Sequence, residues 1–398
     1  MQTAEQAFGV PVKGPARIDK PAVIAAIATI TAVGVAIGLS FPLLSILLEQ
    51  RGYSSTLIGA NTAMAGLASI LTVPFVNPLA RRIGLVNTLA LAAVLAAVSL
   101  MGFYFFSHML AWFGLRIVFH GAITTSFVLS EFWINSSAPD RKRGLVLGIY
   151  ATVLSIGFAA GPAILATIGS RGILPFAVGA AIIAISILPA LMARGRQPRT
   201  DGRPQSHSVL RYLRLVPFAT AAALVFGAVE QAGLALFPVY GARNGFDERD
   251  VALLLMVLAL GNVMLQIPLG MMSDRMRDRR LLLFACALVG AVGVAILPAF
   301  VDNVPVLTVG IFIWGGVTAG MYTVGLAHLG ARLSGADLAQ ANAAFILCYA
   351  IGMVLGPQFA GVVMDIDDPD GFAWALCAMF SAYLLMGLVR FATTARRG

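Results

Sequence analysis

The sequence predicts an all-α membrane protein of twelve transmembrane helices, arranged as two pseudo-symmetric six-helix bundles. Three observations carry that expectation. The first is composition: the 398 residues are 59% hydrophobic and 11% charged, with a mean hydropathy of +0.89, whereas soluble domains carry about 25% charged residues. The second is a series of apolar runs, each long enough at about 20 residues to cross a bilayer. The third is an internal echo that sets the second half of the chain against the first.

A polar N-terminal tail punctuated by proline and glycine (1–21) leads into an apolar run at 22–48. That run is too long for a signal-peptide core and lacks a small-residue cleavage pattern, so it reads as an uncleaved first span. Five more runs follow at 56–80, 85–106, 109–137, 144–168 and 173–193, completing an N-terminal bundle over 22–193. The stretch "ARGRQPRTDGRPQSHSVLRYLR" (193–214) is the long polar interior segment, and 194–214 reads as a linker. Runs at 215–240, 249–272, 281–301, 305–330, 338–364 and 371–392 then give a C-terminal bundle over 215–392, with a tail at 393–398.

The basic residues test this layout. If the N-terminus lies inside, the outer loops hold Arg51, Arg171, Arg243 and Arg249, and Arg116 lies within a span. Every other basic residue of the 27 falls on an inner segment, including Arg81, Arg82, Arg141, Lys142 and Arg143 and the arginines from Arg275 to Arg280. Such asymmetry is the positive-inside signature, and it predicts a bacterial inner-membrane protein with both termini, and the 194–214 linker, in the cytoplasm. It also accounts for the net charge of +9 without a nucleic-acid partner. Cys286, Cys348 and Cys377 lie in apolar runs, which argues against a disulfide framework. The histidines at 108, 120, 207 and 328 show no metal-ligand spacing, and no cofactor is implied. Nothing resembles a catalytic triad or a phosphate loop, so the chain is expected to be neither an enzyme nor driven by ATP.

The internal echo is clearest in the fifth and eleventh spans. "YATVLSIGFAAGP" (150–162) and "YAIGMVLGP" (349–357) both contain G-x-x-x-G-P: Gly157, Gly161 and Pro162, then Gly352, Gly356 and Pro357. Glycines at i and i+4 make a flat strip on which another helix packs closely, and the proline bends the helix just beyond. A second echo joins "NPLARRIG" (77–84) to "GMMSDRMRDRR" (270–280). The earlier copy keeps Leu79, Arg82 and Gly84 but has Arg81 where the later one has Asp274. Two six-span halves joined by a linker are the sequence form of a rocking transporter.

On these residues the chain resembles the major facilitator superfamily over essentially its whole length. Gly270 to Arg275 matches the superfamily's G-x-x-x-D-R at the 8–9 loop, and the span-five glycines match the motif associated with antiporters and drug exporters. The segment 115–150, with Arg116, Glu131, Arg141, Arg143, Gly144 and Tyr150, resembles the YcaD-like branch. The sequence departs from the family pattern at Arg81, where an Asp is usual, so any gating salt bridge rests on the Asp274–Arg275 copy. It departs again at His120, where the family usually has glycine. The resemblance implies that spans one, four, seven and ten line a central cavity and that three, six, nine and twelve are peripheral.

Normally charged residues inside spans are few: Arg116 and Glu131 in span four and Glu230 in span seven. Each is expensive facing lipid, so each is expected to face a cavity or a partner. Arg116, His120, Thr124, Glu131 and Asn135 fall within about 100° of arc and form one polar stripe. Arg116 and Glu131 lie about 22 Å apart along the axis and cannot pair with each other. Two roles stay open for Arg116: holding an anionic group, or pairing structurally with a carboxylate such as Glu230. His120, one turn on, is the residue type whose ordinary titration lies nearest neutrality. Glu230 is mid-helix and is the deeper proton-coupling candidate, with Glu131 and His120 beside it. Glu131, about 15 Å of helix from Arg141, suits conformational coupling near the inner mouth. Arg116, Thr124, Asn262, Gln266, Tyr322 and Tyr349 are the substrate-cavity candidates, with Trp314 a weaker one; Asn262 and Gln266 share a face at i and i+4. His328 is assigned no role.

The expected function is secondary active transport of a small molecule by alternating access, in a monomer, with protons coupled and an amphipathic or hydrophobic compound exported. An uptake symporter for a small polar metabolite, anchored by Arg116, is the nearest alternative. A non-transporting sensor on the same fold would predict a degenerate interior or an added soluble domain.

Overall fold

Helices account for nearly all of the computed structural model, which describes residues 19–138, 143–198, 213, 215–333 and 335–395. Twelve long helices run through them: α1 Lys20–Gln50, α2 Ser55–Ile83, α3 Leu85–Phe105, α4 Met109–Ser137, α5 Arg143–Ile168, α6 Leu174–Met192, α7 Pro217–Arg243, α8 Glu248–Arg275, α9 Arg279–Ala295, α10 Val304–Gly330, α11 Gly335–Ile366 and α12 Gly371–Ala395. They match the twelve expected spans one for one. Eleven are long and apolar enough to cross a bilayer by themselves. The exception is α9, with 17 residues, which rises about 25 Å at 1.5 Å per residue. A 3-10 segment, Leu297–Phe300, adds about 8 Å, and together they match a hydrocarbon core of about 30 Å. The expected span 281–301 is therefore an α-helix that ends early and continues as a tighter coil.

Each helix end has a local cause. Asp247 accepts from Asp250 N at 2.7 Å to start α8, and His108 Nδ1 accepts from Leu110 N to start α4. Asp278 starts α9: its Oδ1 accepts from Arg280 N and Nε, both at 3.0 Å, and Oδ2 accepts from the same Nε. Burial works against the charged Asp278, but the bonds from Arg280 outweigh it and hold the carboxyl below the ordinary carboxylate range. A depressed carboxylate stabilises above its unfolded pKa, and the stabilisation is lost as pH falls through the folded value. Asp278→Ala is expected to fray the first turn of α9 at a cost of about 1 kcal/mol, read as faster amide exchange over residues 279–283 at neutral pH.

Two compact units emerge, one from Met1–Leu44 with Met64–His207, the other from Ser45–Ala63 with Ser208–Gly398. Helices α1 and α2 thus each divide between the units. In the first unit α5 lies on α1 backbone to backbone. A Cβ on Gly157 would sit 2.8 Å from Thr31 O, and one on Gly161 would sit 2.3 Å from Gly38 C. In the second, α11 lies on α7 in the same way: a Cβ on Gly352 would be 2.0 Å from Leu224 O and one on Gly356 2.2 Å from Ala228 O. Lipid supplies no hydrophobic drive between helices, so such close backbone packing is what associates them. Outward faces carry exposed apolar side chains such as Phe75, Ile267 and Leu385, as a lipid-facing surface requires. The N-terminal tail up to residue 18, the basic loop at Arg141 and Lys142, most of the 194–214 linker and residues 396–398 lie outside the described residues.

Candidate functional site

Helix α7 is buried along most of its length, yet it carries Glu230 thirteen residues from either end. Val229 and Gln231 beside it are 1% and 3% exposed, while Glu230 itself is only half-buried. Its Oε2 accepts a hydrogen bond from Tyr349 Oη on α11 at 2.5 Å. Among the described residues of its unit no cation forms an ion pair with it. Tyr322 of α10 and Phe226, one turn back on α7, complete the surround. The Tyr322 and Tyr349 ring centroids are 5.6 Å apart, and Phe226 lies 5.9 Å from the first and 6.1 Å from the second. The crossing of α7 and α11 sets this geometry, because the Gly227 Cα approaches the Tyr349 backbone: a Cβ there would lie 2.3 Å from Tyr349 O. Three residues singled out separately in the sequence, Glu230, Tyr322 and Tyr349, are therefore one cluster.

Other candidates in this unit sit apart from that cluster or are tied up in packing. Gln266 Nε2 donates to Asn262 Oδ1 at 2.6 Å, so the pair on α8 bond to each other. Trp314 Nε1 donates to Gly290 O at 3.0 Å, and the indole anchors α10 on α9. Asp274 meets Arg279 at 3.4 Å, with the aspartate exposed. Arg275, its chain neighbour, lies on a different side of the helix, since adjacent helical residues do not face each other. Gly270 is open, with nothing within 4 Å of a would-be Cβ. His328 is buried near Arg280 and Asp278.

The polar stripe on α4 closes at one end and opens at the other. Arg116 is 0% exposed, with its guanidinium 5.1 Å from the Phe41 ring centroid. His120 bonds Arg116 O through Nδ1 at 3.2 Å and stands between the rings of Phe41 and Phe119. Thr124, Glu131 and Asn135 are half-buried. Thr124 shares a hydrogen bond with Ser69 at 2.8 Å, and Asn135 Nδ2 donates to Glu131 O at 2.9 Å. Next to Glu131, Ser130 bonds the Tyr150 hydroxyl of α5 at 3.0 Å. Arg82 is exposed at the end of α2.

Sequence reading missed one constellation. Asp365, at the end of α11, accepts from Ser55 N through Oδ1 and from Thr56 N through Oδ2, both at 2.8 Å, and so caps α2. Close by, Arg243 grips Glu49 with two bonds of 2.8 and 3.0 Å and Asp368 with a third of 2.7 Å. All of these residues belong to the second unit. The glycines Gly59 and Gly361 were the available signal: a Cβ on Gly59 would lie 2.1 Å from Pro357 O, and one on Gly361 2.3 Å from Ser55 O. Small residues every four or five positions on α11, from Gly352 through Gly356 to Gly361, mark a face that receives backbone.

Comparison with known proteins agrees with this architecture. The chain is 26% identical over 358 residues to the uncharacterized MFS-type transporter YfkF of Bacillus subtilis (strain 168), covering 88% of this chain and 91% of that one. It is 24% identical over 346 residues to the uncharacterized MFS-type transporter YcaD of Salmonella typhimurium (strain LT2), covering 86% and 88%. Its fold is similar to the crystal structure of the nucleoside transporter NupG, with a TM-score of 0.75 at 13% identity over 93% of this chain and 98% of that one. It is also similar to a bacterial homologue of the human lysosomal transporter Spinster, with a TM-score of 0.73 at 15% identity over 94% and 96%. At such identities the likeness is one of fold alone. A sequence profile of the Major Facilitator Superfamily matches residues 25–259 and again 235–397. With twelve helices, repeated glycine crossings and a profile that spans both halves, the chain belongs to the major facilitator superfamily and is a multi-pass secondary transporter resembling YcaD.

Proposed function

We propose that this transporter exports a small amphipathic or hydrophobic compound in exchange for protons. It works as a monomer in the bacterial inner membrane, with both termini cytoplasmic and its two six-helix bundles, 22–193 and 215–392, rocking by alternating access. The observation that carries the proposal is Glu230: a carboxyl at mid-span whose hydrogen bond comes from a neutral tyrosine and which has no cation partner among the described residues of its unit. A carboxyl so placed is costly when charged, and it gains when a proton arrives. Glu131, half-buried on the α4 stripe, couples proton access to conformation, with His120 between it and Arg116. Gly157, Gly161 and Pro162, with Gly352, Gly356 and Pro357, provide the crossings on which the helices flex. Gly270, Asp274, Arg275 and Arg82 form the loop gates. Thr124, Asn262, Gln266, Tyr322 and Tyr349 supply the substrate lining.

The expected result in proteoliposomes is that an imposed pH gradient drives transport and that Glu230→Gln abolishes the dependence. Glu131→Gln should slow turnover without removing it. Transport indifferent to the pH gradient, and unchanged in both variants, would end the proton-coupled reading. The uptake of a small polar metabolite is a second reading, favoured by buried Arg116, which would anchor a carboxylate. A deletion strain that loses growth on a nutrient, rather than gaining sensitivity to toxic compounds, would select it.

A further inference from the structure

Phe226, Tyr322, Tyr349 and Glu230 together are a small chemical site, and its composition selects a charge. The three ring centroids form a triangle with sides of 5.6, 5.9 and 6.1 Å, with the Glu230 carboxyl bonded to one of its corners. Phe226 and Tyr349 are inclined by 31° to each other, and Tyr322 stands at 74° to Tyr349. A positive charge over the face of one of these rings, within roughly 6 Å of its centroid, is attracted by it.

Each class of ligand can be weighed against these walls. An anion meets Glu230 and the negative faces of the rings, and is repelled. A hard metal ion needs about six oxygens, whereas this cluster offers one carboxyl and two phenols. A neutral apolar body gains from the rings but leaves the carboxylate without a counter-charge, at the expense that intramembrane charge carries. An organic cation satisfies both parts at once, since its charge faces the carboxyl and its apolar body faces the rings. Tyr322 and Tyr349 are half-buried and so can be reached, and both pack on the apolar cluster around Ala219, Ala223 and Phe345 that fixes their positions.

We infer that Glu230, Tyr322, Tyr349 and Phe226 form a binding site for a singly charged organic cation with an apolar body, such as a lipophilic amine, quaternary ammonium or phosphonium compound. This rests on the export reading and narrows its substrate class. Charge recognition belongs to Glu230 and shape recognition to the rings.

The test uses the purified full chain in detergent and two ions of the same shape and opposite charge, tetraphenylphosphonium and tetraphenylborate, with detergent-only blanks. Saturable binding of the phosphonium and none of the borate is expected. Glu230→Gln should weaken phosphonium binding by at least about tenfold, and Tyr322→Leu by about threefold to thirtyfold. Equal binding of the two ions, no saturable phosphonium binding, or an unchanged affinity in folded Glu230→Gln overturns the inference. If Glu230→Gln does not elute as a folded monodisperse species, the discrimination of the two ions by the unmodified protein and the weaker phosphonium binding of Tyr322→Leu decide the matter. Failure here leaves pH-driven transport in proteoliposomes untouched, and failure there leaves cation binding untouched.

Discussion

Gly356→Ala and Gly352→Ala are expected to destabilise the folded transporter strongly, although each adds one methyl group to a helix interior. Alanine is the better helix former by about 1 kcal/mol, so local propensity predicts the opposite sign. Packing decides it. The new Cβ at 356 would lie 2.2 Å from Ala228 O and 2.4 Å from Ala228 Cα, and the one at 352 would lie 2.0 Å from Leu224 O. These neighbours are backbone, which has no rotamer to move aside, so α7 and α11 must separate by more than an ångström along the crossing. Overpacking of this kind costs about 3 kcal/mol at the upper end of its usual range, which corresponds to a fall of roughly 6 °C in apparent melting temperature. The same separation pulls Tyr349 away from Glu230, so ligand binding falls with stability. Gly161→Ala should behave likewise in the first unit, where its Cβ would meet Gly38 C at 2.3 Å.

The control lies in the same kind of sequence context. Gly148 on α5 and Gly270 on α8 have nothing within 4 Å of a would-be Cβ, so alanine there should leave the melting temperature level or slightly raised. Fluorescence-detected size exclusion after a heat step reads all five variants. A Gly356→Ala protein that melts with the unmodified one would show that the helices do not cross as closely as described.

The contrast between those glycines explains what the sequence could convey. Spans, their number and the repeat at Gly157 and Gly352 were legible because each is written in local composition, or in a spacing that recurs after 195 residues. Even α9 was placed correctly, and only its length differed, because hydropathy does not distinguish an α-helix from its 3-10 extension. The cluster around Glu230 was legible as parts and not as a whole. Tyr349 is 119 positions away, and a tyrosine in an apolar run ordinarily reads as packing. That Asp274 meets Arg279 follows from helix geometry across the loop, which a motif match does not contain. Asp365, Asp368, Glu49 and Arg243 were harder still. Each sits near a loop at a span end, where a charged residue needs no explanation, and nothing local says that the four converge on the end of α1 and the start of α2.

That convergence carries the second large effect. Asp365→Ala is expected to free the first turn of α2, because it strips acceptors from two amides at once. Ser55 N and Thr56 N each donate at 2.8 Å to a separate oxygen of the same carboxylate. The positive end of the α2 dipole favours a negative charge at that point. Loss of a capping side chain costs about 1–2 kcal/mol, and exchange of the amides at 55–60 should quicken by about tenfold as the turn opens locally. Asp365→Asn keeps one acceptor and should fall between. Arg243 holds the adjoining end of α1 through its bidentate bond to Glu49, a geometry that lysine cannot reproduce. Arg243→Lys should therefore behave more like Arg243→Ala than like the parent, each losing about 1.5–3 kcal/mol of charge-assisted bonding. The two grips act on one short segment, Ser45–Ala63, which clusters with the second unit although the rest of α1 and α2 clusters with the first. Asp365→Ala combined with Arg243→Ala should consequently raise exchange across 45–63 by more than the product of the single effects, since each grip keeps the other in register. If the double variant shows only the product, the grips act independently, and Asp365 is a helix cap with no further role.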